Sequence, residues 1–233
     1  MKIRHILNRL IAGSGYQIAK KTAGSGSYYD YALHVYKNKD GAFDYARYRE
    51  IQQEGNLQKI QQTWATEENI QFLADYIRAE IGTPTFGICH GTRRGEEQAW
   101  FRKCLSCEII GTEISDTAKD FPHTVQWDFH EENPEWSNRA DFVYSNSLDH
   151  SYDPETCLNT WINSLKIDGL CILEHDHHYH SANTQNELDP FGVDIVVMAY
   201  LIAVWGKDRF FLKELIDAPQ GNMRRFLIIQ RRK

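Results

Sequence analysis

Residues 86–96 of the 233-residue chain read Phe86-Gly87-Ile88-Cys89-His90-Gly91-Thr92-Arg93-Arg94-Gly95-Glu96, and they become informative together with the residues that follow. It has the pattern of a short apolar strand, a glycine-bearing turn and the start of a helix. Glycine in such a turn lets a ligand approach the backbone, and the N–H groups of a helix N-terminus favour carboxylate or phosphate. The glycines stand four residues apart, which matches neither a G-x-G-x-x-G fingerprint nor a P-loop.

Strands and helices alternate along most of the chain. The residue pattern predicts strands at Phe86–Cys89, Ile109–Ile114, Thr124–Trp127, Phe142–Ser145 and Leu170–Leu173, helices at 66–79, 94–104, 154–165 and 193–205, and two final strands at Phe210–Ile216 and Phe226–Gln230. Alternation of this kind indicates a parallel sheet, and two consecutive final strands indicate an antiparallel pair at its edge. We therefore expect an α/β fold with a doubly wound, seven-stranded, mostly parallel sheet and a C-terminal antiparallel hairpin.

Polar residues follow the predicted strands at the edge where open α/β folds bind ligands. Glu113 ends the second strand, where an acid can accept hydrogen bonds from both hydroxyls of a ribose. Asp128 follows the third strand, where it can accept from an adenine amine while Trp127 or Phe129 covers the ring. The stretch Asp141-Phe142-Val143-Tyr144-Ser145-Asn146 should place further polar groups at the same edge.

On these residues, and over about residues 85–231, the chain resembles the class I S-adenosylmethionine (SAM)-dependent methyltransferases. The resemblance implies a Rossmann-like methyltransferase fold whose glycine loop, here 87–91 with His90 in place of a small residue, holds the methionine end of SAM. It also implies that Glu113 holds the ribose, that Asp128 reaches the adenine and that residues 145–150 pass beside the sulfonium. The implied SAM-binding residues are Gly87, His90, Gly91, Glu113, Asp128, Phe129 and Ser145.

The part of the chain before residue 65 has a different character. We expect residues 1–64 to form a helical and aromatic extension and residues 65–233 the SAM-binding domain. Residues 1–21 carry five basic residues, no acid and apolar residues at helical spacing, as in a helix that lies on a membrane surface or packs on protein. The tyrosines of residues 28–64 either cover the core or belong to a lid over a substrate pocket. A basic apolar segment ahead of such a domain resembles methyltransferases of bacterial surface-polysaccharide pathways.

Histidines are the candidate catalytic residues. His150 lies just after the fourth strand and is the first candidate for a general base, because imidazole changes its charge near neutral pH. The segment 174–180 follows the fifth strand and holds four more histidines. It could be a divalent-metal site formed by Glu174, Asp176 and one histidine, with Asp176 and His177 as the conditional pair. It could also be an acid–base or substrate-binding loop with His175 or His177 as the base, or a polar surface loop. A metal is not expected. Adjacent histidines on an extended segment point to opposite faces, so not all of them can share one site.

Net charge and cysteine count limit the classes of function that the chain could have. The net charge of −6 gives no basic excess for binding nucleic acid. The five cysteines suggest reduced thiols in a cytoplasmic protein. Residues 1–21 suggest an added peripheral contact to the inner membrane. No apolar run is long enough to span a bilayer. We expect SAM-dependent O-methylation of a small saccharide-type or phosphorylated acceptor, which Arg93 and Arg94 could contact. A non-catalytic SAM-fold interaction protein and a nucleotide-dependent oxidoreductase remain alternatives, and a protein or lipid acceptor stays open.

Overall fold

The computed structural model describes residues 31–233. Residues 1–30, which include the predicted amphipathic helix, lie outside the described residues. In chain order the strands of the described part are β1 (Ala32–Leu33), β2 (Phe86–His90), β3 (Glu108–Glu113), β4 (Thr124–Gln126), β5 (Ala140–Ser145), β6 (Leu165–Asp176), β7 (Phe191–Gly192), β8 (Phe210–Asp217) and β9 (Arg224–Arg231). Strands β1 and β7 pair as a short antiparallel ribbon, and the other seven form the central sheet.

The central sheet has the strand order β4-β3-β2-β5-β6-β9-β8. Neighbouring strands from β4 to β6 are parallel, whereas β9 is antiparallel to both β6 and β8. The order reverses direction between β2 and β5, so the carboxyl ends of these two strands flank a crevice. Open α/β sheets bind their ligands in such a crevice. The prediction of a seven-stranded, mostly parallel sheet with a C-terminal antiparallel hairpin is confirmed.

The described part of the chain has helices close to the four predicted positions, a helix within residues 31–64, and a short helix in the histidine-rich segment that the sequence did not predict. They are α1 (Tyr45–Gln58), α2 (Glu67–Ile81), α3 (Glu96–Leu105), α4 (Pro154–Ser164), the short α5 (His177–His180) and α6 (Ile195–Gly206). Helix α2 begins where the Thr66 hydroxyl oxygen accepts a hydrogen bond from the N–H of Asn69 at 3.2 Å. Helix α3 begins two residues later than predicted, because Gly95 adopts a left-handed conformation with φ of +83°.

Apolar side chains cover both faces of the sheet. Along β5, Val143 faces a cluster that contains Trp161 of α4 and Ile202 of α6. The flanking residues of β5, Phe142 and Tyr144, face a second cluster formed with α2 and α3. This alternation follows from the two-residue period of a strand, and burial on both faces is what a doubly wound parallel sheet requires.

Two parts of the chain differ from expectation in how they join the domain. Strand β6 continues through Glu174, His175 and Asp176, which are all buried, so the reading of a polar surface loop is wrong for these three residues. Residues 31–64, the later part of the predicted N-terminal extension, fall in the same compact unit as the sheet. Their buried Tyr36, Tyr48 and Ile51 form a small core of their own.

Two further observations concern the chain's chemistry and its relation to membranes. All five cysteines are free thiols, as the odd count suggested, and three of them are buried in the core. No helix within residues 31–233 is long and apolar enough to cross a bilayer.

Candidate functional site

The turn after β2 shapes the floor of a cleft at the carboxyl edge of the sheet. Strand β2 runs to His90, so the turn begins at Gly91 rather than at Gly87. Gly91 has a φ of +72°, and a Cβ atom at this position would lie 2.6 Å from Cβ of Ser147. The N–H groups of Gly91 and Thr92 both donate to the carbonyl of Thr112, at 2.9 and 3.1 Å. The turn is thus fixed between β3 and the loop after β5.

Two of the residues predicted to hold SAM have structural roles below this turn. Gly87 lies inside β2, where a Cβ atom would come within 2.4 Å of the Phe142 ring, so its assignment to the binding turn is wrong. The ring of His90 stacks on Trp161 and bonds the hydroxyl of Thr112 at 2.8 Å. Burial lowers the pKa of His90 to about 3, which keeps the ring neutral in the core. Neither residue lines the cleft.

Glu113 ends β3, as the sequence predicted, and its side chain contacts the turn after β2. One carboxylate oxygen accepts from the N–H of Arg93 at 3.1 Å and the other from the N–H of Ser115 at 3.0 Å. Burial raises the pKa of Glu113 above its ordinary value, although these hydrogen bonds oppose the shift. Each oxygen can accept a second hydrogen bond, so the carboxylate can still bind two hydroxyls of a ligand.

Asp128 lies after β4 in a polar network that fixes its side chain. It accepts hydrogen bonds from Nδ1 of His130 at 2.7 Å and from the hydroxyl of Tyr45 at 2.9 Å. Burial alone would raise the pKa of Asp128, but the hydrogen bonds from His130 and Tyr45 outweigh it and hold the pKa below its usual value. Of its two aromatic neighbours, Phe129 borders the cleft, whereas Trp127 donates to the carbonyl of Glu131 and packs on Trp136.

Two adjoining cavities make up the cleft. The larger has a volume of about 360 Å³ and the smaller of about 50 Å³, and they share Lys59, Gly91, Arg93, Ser147 and His150 in their walls. The smaller cavity is lined by Glu113 and Phe129 and is covered by α1. The larger opens toward the segment after β6. We refer to them as the Glu113 cavity and the outer cavity.

The outer cavity contains two buried acids with an unpartnered oxygen. These atoms are Oε2 of Glu97, in the first turn of α3, and Oδ1 of Asp149, in the loop after β5. The two residues are 5% and 8% exposed. Burial raises the pKa of Glu97 to about 8. A buried polar atom without a partner is costly, so these oxygens are positioned to be satisfied by a ligand with donors or positive charge.

Two more predicted residues lie at the end of β5 and in the loop after it, and of these only His150 lines the cleft. Ser145 is buried, donates to the carbonyl of His90 at 3.0 Å and accepts from the N–H of Ser147, so it shapes the loop. His150 lines both cavities. Its Nδ1 lies 2.9 Å from the carbonyl oxygen of Leu188. When Nδ1 donates this hydrogen bond, Nε2 keeps a free lone pair.

The histidine-rich segment contributes less to the cleft than predicted. Nε2 of the buried His175 bonds the carbonyl of Val193 at 2.9 Å, and burial, with a smaller effect of His180, lowers the pKa of His175 to about 4. His175 lines neither cavity of the cleft. Asp176 forms an ion pair with Arg224 at 3.2 Å, and His177 is exposed, so the predicted metal pair is not assembled.

The remaining predicted polar residues divide between the cleft and the scaffold. The Arg93 guanidinium lies in the outer cavity, 4.9 Å from the centre of the Trp64 ring. Arg94 lies outside the cleft and pairs with Glu96. Asp141 lies near the amino end of β5, as predicted for the residue that opens the fourth strand, and accepts from the N–H groups of Thr85 and Phe86, away from the cleft.

Comparisons with known proteins concern the fold. No protein-family model matches the chain, and no curated protein sequence matches it. Solved structures do match. A 1,6-didemethyltoxoflavin N1-methyltransferase from Burkholderia thailandensis, with S-adenosylhomocysteine (SAH) bound, superposes with a TM-score of 0.62 at 12% identity, over 90% of this chain and 98% of that one.

Two more of these structures are methyltransferases as well. A sugar N-methyltransferase from Streptoalloteichus sp. superposes with a TM-score of 0.58 at 11% identity, over 94% of this chain and 100% of that one. An N-methyltransferase from Bradyrhizobium japonicum, in complex with SAH, gives 0.55 at 9% identity, over 78% and 98%. The chain has the fold of the SAM-dependent methyltransferases. At these identities the likeness establishes the methyltransferase fold and leaves the chemistry to the residues of the cleft.

Several residues of the cleft were not found from the sequence. Glu97, Lys59 and Trp64 line the outer cavity, and Leu188 lines the Glu113 cavity beside Tyr48, which is one of the tyrosines that the sequence analysis considered for a lid. Glu97 could have been recognised, because an acid in the first turn of a helix that follows a glycine turn is near the ligand-binding edge. Lys59 and Trp64 come from the segment before the methyltransferase-like region and Leu188 from the segment between α5 and β7, and no local pattern marks them.

Proposed function

We propose that this protein is a SAM-dependent methyltransferase that acts on a small-molecule acceptor. The observation that carries the proposal is the position of Glu113. Its buried carboxylate lies beside the Gly91 turn, in the wall of a cleft at the carboxyl edge of a methyltransferase-type sheet. A ribose-binding acid is needed at this edge in nucleotide-binding folds of this class.

Glu113, Phe129 and the Gly91 turn line the cleft and support SAM as its ligand, whereas Asp128 lies next to Phe129 in the chain and lines neither cavity. We assign Glu113 to the ribose hydroxyls, Asp128 and Phe129 to the adenine, and the Gly91 turn to the methionine end, with Ser145 as the residue that shapes the neighbouring loop. The unpartnered Oε2 of Glu97 fits the positive ammonium group of a methionine moiety. When bound, SAM supplies a methyl group on a positively charged sulfur, which is left as a neutral thioether after the transfer.

We propose a hydroxyl of a saccharide-type or phosphorylated molecule as the acceptor. The outer cavity is lined by Lys59 and Arg93, whose charges suit a phosphate or another anionic group. Trp64 and Tyr179 lie in the same wall and offer aromatic surface for the apolar face of a sugar ring. The likeness to a sugar N-methyltransferase agrees with this class of acceptor but concerns a nitrogen atom of that protein's substrate.

His150 is the residue that we propose to act on the acceptor hydroxyl. The carbonyl of Leu188 orients the imidazole, and the ring lines both cavities. A neutral imidazole with one free lone pair serves as a proton acceptor or as a metal ligand, and both uses make a nearby hydroxyl more nucleophilic. As the acceptor oxygen forms its bond to the methyl carbon, its proton leaves to the imidazole or to water.

We propose that residues 31–64 act as a lid on this site. Tyr45 at the start of α1 donates to Asp128, and the hydroxyl of Tyr48 donates to the carbonyl oxygen of His150 at 3.1 Å. The helix therefore connects the adenine side of the cleft to the acceptor side. A lid in this position excludes water and holds the reacting groups together.

The cellular setting is part of the same proposal. The five basic residues and the absence of acids in residues 1–21 suit attraction to an anionic membrane surface from the cytoplasmic side. Together with a saccharide-type acceptor, this fits a bacterial surface-polysaccharide pathway.

A turnover assay tests the proposed function. The purified chain is incubated with SAM and a panel of glycosides, sugar phosphates and nucleotide-linked sugars, and SAH and methylated products are measured by mass spectrometry. We expect SAH to form only with acceptors that have a free hydroxyl, and His150→Ala to lower kcat at least about 100-fold. His178→Ala is the control, because that histidine is exposed and lies outside the cleft. Tight SAM binding without turnover on any acceptor would favour a non-catalytic binding protein.

A further inference from the structure

Three metal-ligand residues from two distant segments meet in the outer cavity. They are Asp149 and His150, in the turn after β5, and Asp189, in the segment before β7. One carboxylate oxygen of each aspartate and one imidazole nitrogen of His150 all lie within 4.8 Å of one another. We propose that these three residues bind a divalent cation at the acceptor side of the cleft.

The unpartnered oxygen of Asp149 is the observation that points to a ligand. Asp149 is 8% exposed, and its Oδ1 has no hydrogen-bond partner although it lines a cavity of about 360 Å³. Its other oxygen lies 3.7 Å from Nε2 of His180. A buried carboxylate oxygen that is left unpaired costs free energy. A cation in the cavity would remove this cost by binding the oxygen directly.

The other two ligands are oriented by groups behind them. Nδ1 of His150 lies 2.9 Å from the carbonyl oxygen of Leu188, and Asp189 accepts a hydrogen bond of 3.0 Å from the side chain of Asn186. Metal-binding histidines commonly donate their second N–H to a carbonyl, and metal-binding carboxylates are commonly hydrogen-bonded as well. Nδ1 of His150 lies 3.6 Å from Oδ1 of Asp189, so the two side chains are direct neighbours.

The donor set selects the class of cation. Two carboxylates and one imidazole favour a cation that accepts mixed oxygen and nitrogen ligands, such as Mn²⁺ or Mg²⁺, and the open cavity leaves coordination positions for water or substrate. This site is distinct from the Asp176 and His177 pair that the sequence suggested. The exposed His177 and His178 would capture softer ions such as Cu²⁺, so Mn²⁺ is the informative probe.

The cation gives the site a means of activating its acceptor, an inference that rests on the proposed function. Two neighbouring acceptor oxygens, from a diol or from a hydroxyl and a phosphate, would complete the coordination. The bound hydroxyl is acidified, its proton passes to water, and the resulting oxygen attacks the methyl carbon as the bond from carbon to sulfur breaks. His150 then acts as a ligand, and the acceptor is held by its coordination as well as by the cavity wall.

Direct measurement of Mn²⁺ binding tests the proposal. The untagged chain is titrated with Mn²⁺ and the free ion is followed by electron paramagnetic resonance, while SAH binding to the same samples is measured by calorimetry. We expect one saturable Mn²⁺ site per chain, weakened at least tenfold in Asp149→Asn and in Asp189→Asn. SAH affinity should stay within about twofold in both variants. Glu187→Gln is the matched control, because it removes an exposed acid from the same segment.

The Mn²⁺ measurement and the SAH measurement test the cation site and the proposed function separately. Absence of saturable Mn²⁺ binding, or equal binding by the wild type and both asparagine variants, would overturn the cation site while SAH binding remained intact. Loss of both Mn²⁺ and SAH binding by the wild type would instead reject the proposed function. Asp189 is partly exposed, so Asp189→Asn keeps the test open even where Asp149→Asn fails to fold. Circular dichroism of each variant separates lost binding from lost structure.

Discussion

Gly91 packs directly against Ser147, whose hydroxyl donates a hydrogen bond of 3.2 Å to the carbonyl oxygen of Gly91. This contact joins the turn after β2 to the loop after β5, which are the two segments that flank the crevice of the sheet. A side chain at position 91 would separate them, since its Cβ atom would lie 2.6 Å from Cβ of Ser147. The contact therefore makes the shape of the cleft sensitive to a single methyl group.

The first prediction concerns Gly91→Ala. We expect this change to lower the free energy of unfolding by about 1–2 kcal/mol for the positive φ and by about 1–3 kcal/mol more for the overlap with Ser147. SAH binding should weaken at least tenfold. Gly41→Ala is the control, because Gly41 has a φ of +81° but a Cβ atom there would have no other atom within 4 Å. Equal losses in the two variants, measured by urea unfolding, would mean that the contact with Ser147 is unimportant.

The second prediction concerns the pH dependence of stability through Glu97. Its pKa is raised by burial from 4.5 to about 8, so between these pH values the folded protein keeps a proton that the unfolded chain has lost. The stabilisation from the protonated form is complete below pH 4.5 and is lost as the pH rises through about 8. The free energy of unfolding should fall across this window by at most about 1.4 kcal/mol per pH unit from this group.

Glu97→Gln removes this titration and provides the measurement. We expect the stability of the variant relative to the wild type to increase from about pH 5 to about pH 8 in urea unfolding experiments without ligand. Glu68→Gln serves as the control, since Glu68 is exposed. A stability difference between Glu97→Gln and wild type that does not change with pH would contradict a raised pKa at this site.

The third prediction concerns the attachment of α1 to the cleft. Tyr45→Phe removes the phenol that donates to Asp128, a hydrogen bond to a charged group worth about 1.5–3 kcal/mol. We expect faster amide hydrogen exchange in residues 45–58 and weaker SAH binding. Tyr76→Phe removes a similar bond to Glu214, at 2.8 Å, from a tyrosine that packs against the other face of the sheet. Unchanged exchange in Tyr45→Phe, or an equal effect of Tyr76→Phe on residues 45–58, would argue against a lid held by Tyr45.

Local patterns were sufficient for the elements of the fold. The Thr66 cap marks the start of α2, and the apolar run before Glu113 marks β3, because capping and burial act within a few residues. The position of Gly87 was not predictable in this way. A glycine inside a strand and a glycine in a turn look alike in sequence, and only the approach of the Phe142 ring from β5 distinguishes them.

The site was predicted less completely than the fold for the same reason. Glu113 ends β3 and Asp128 comes shortly after β4, so their positions at the carboxyl edge could be predicted from where the strands end. Asp149 and Asp189 are far apart in sequence and meet through the packing of the segment between α5 and β7, which no periodicity describes. Lys59 and Trp64 likewise reach the cleft from the chain before the sheet begins. Long-range packing, rather than local propensity, determines this part of the site.

The central claim is that the cleft beside Glu113 binds SAM, and calorimetric titration with SAH tests it most directly. The wild type, Glu113→Ala and Glu108→Gln are titrated with SAH and, as a control ligand, with NAD; Glu108 is an exposed acid at the other end of β3. We expect the wild type and Glu108→Gln to bind SAH with micromolar affinity and not to bind NAD. We expect the SAH affinity of Glu113→Ala to be tenfold or more lower, equivalent to about 1.4 kcal/mol or more of binding free energy. NAD binding in place of SAH, or SAH binding that is unaffected by Glu113→Ala, would contradict the central claim.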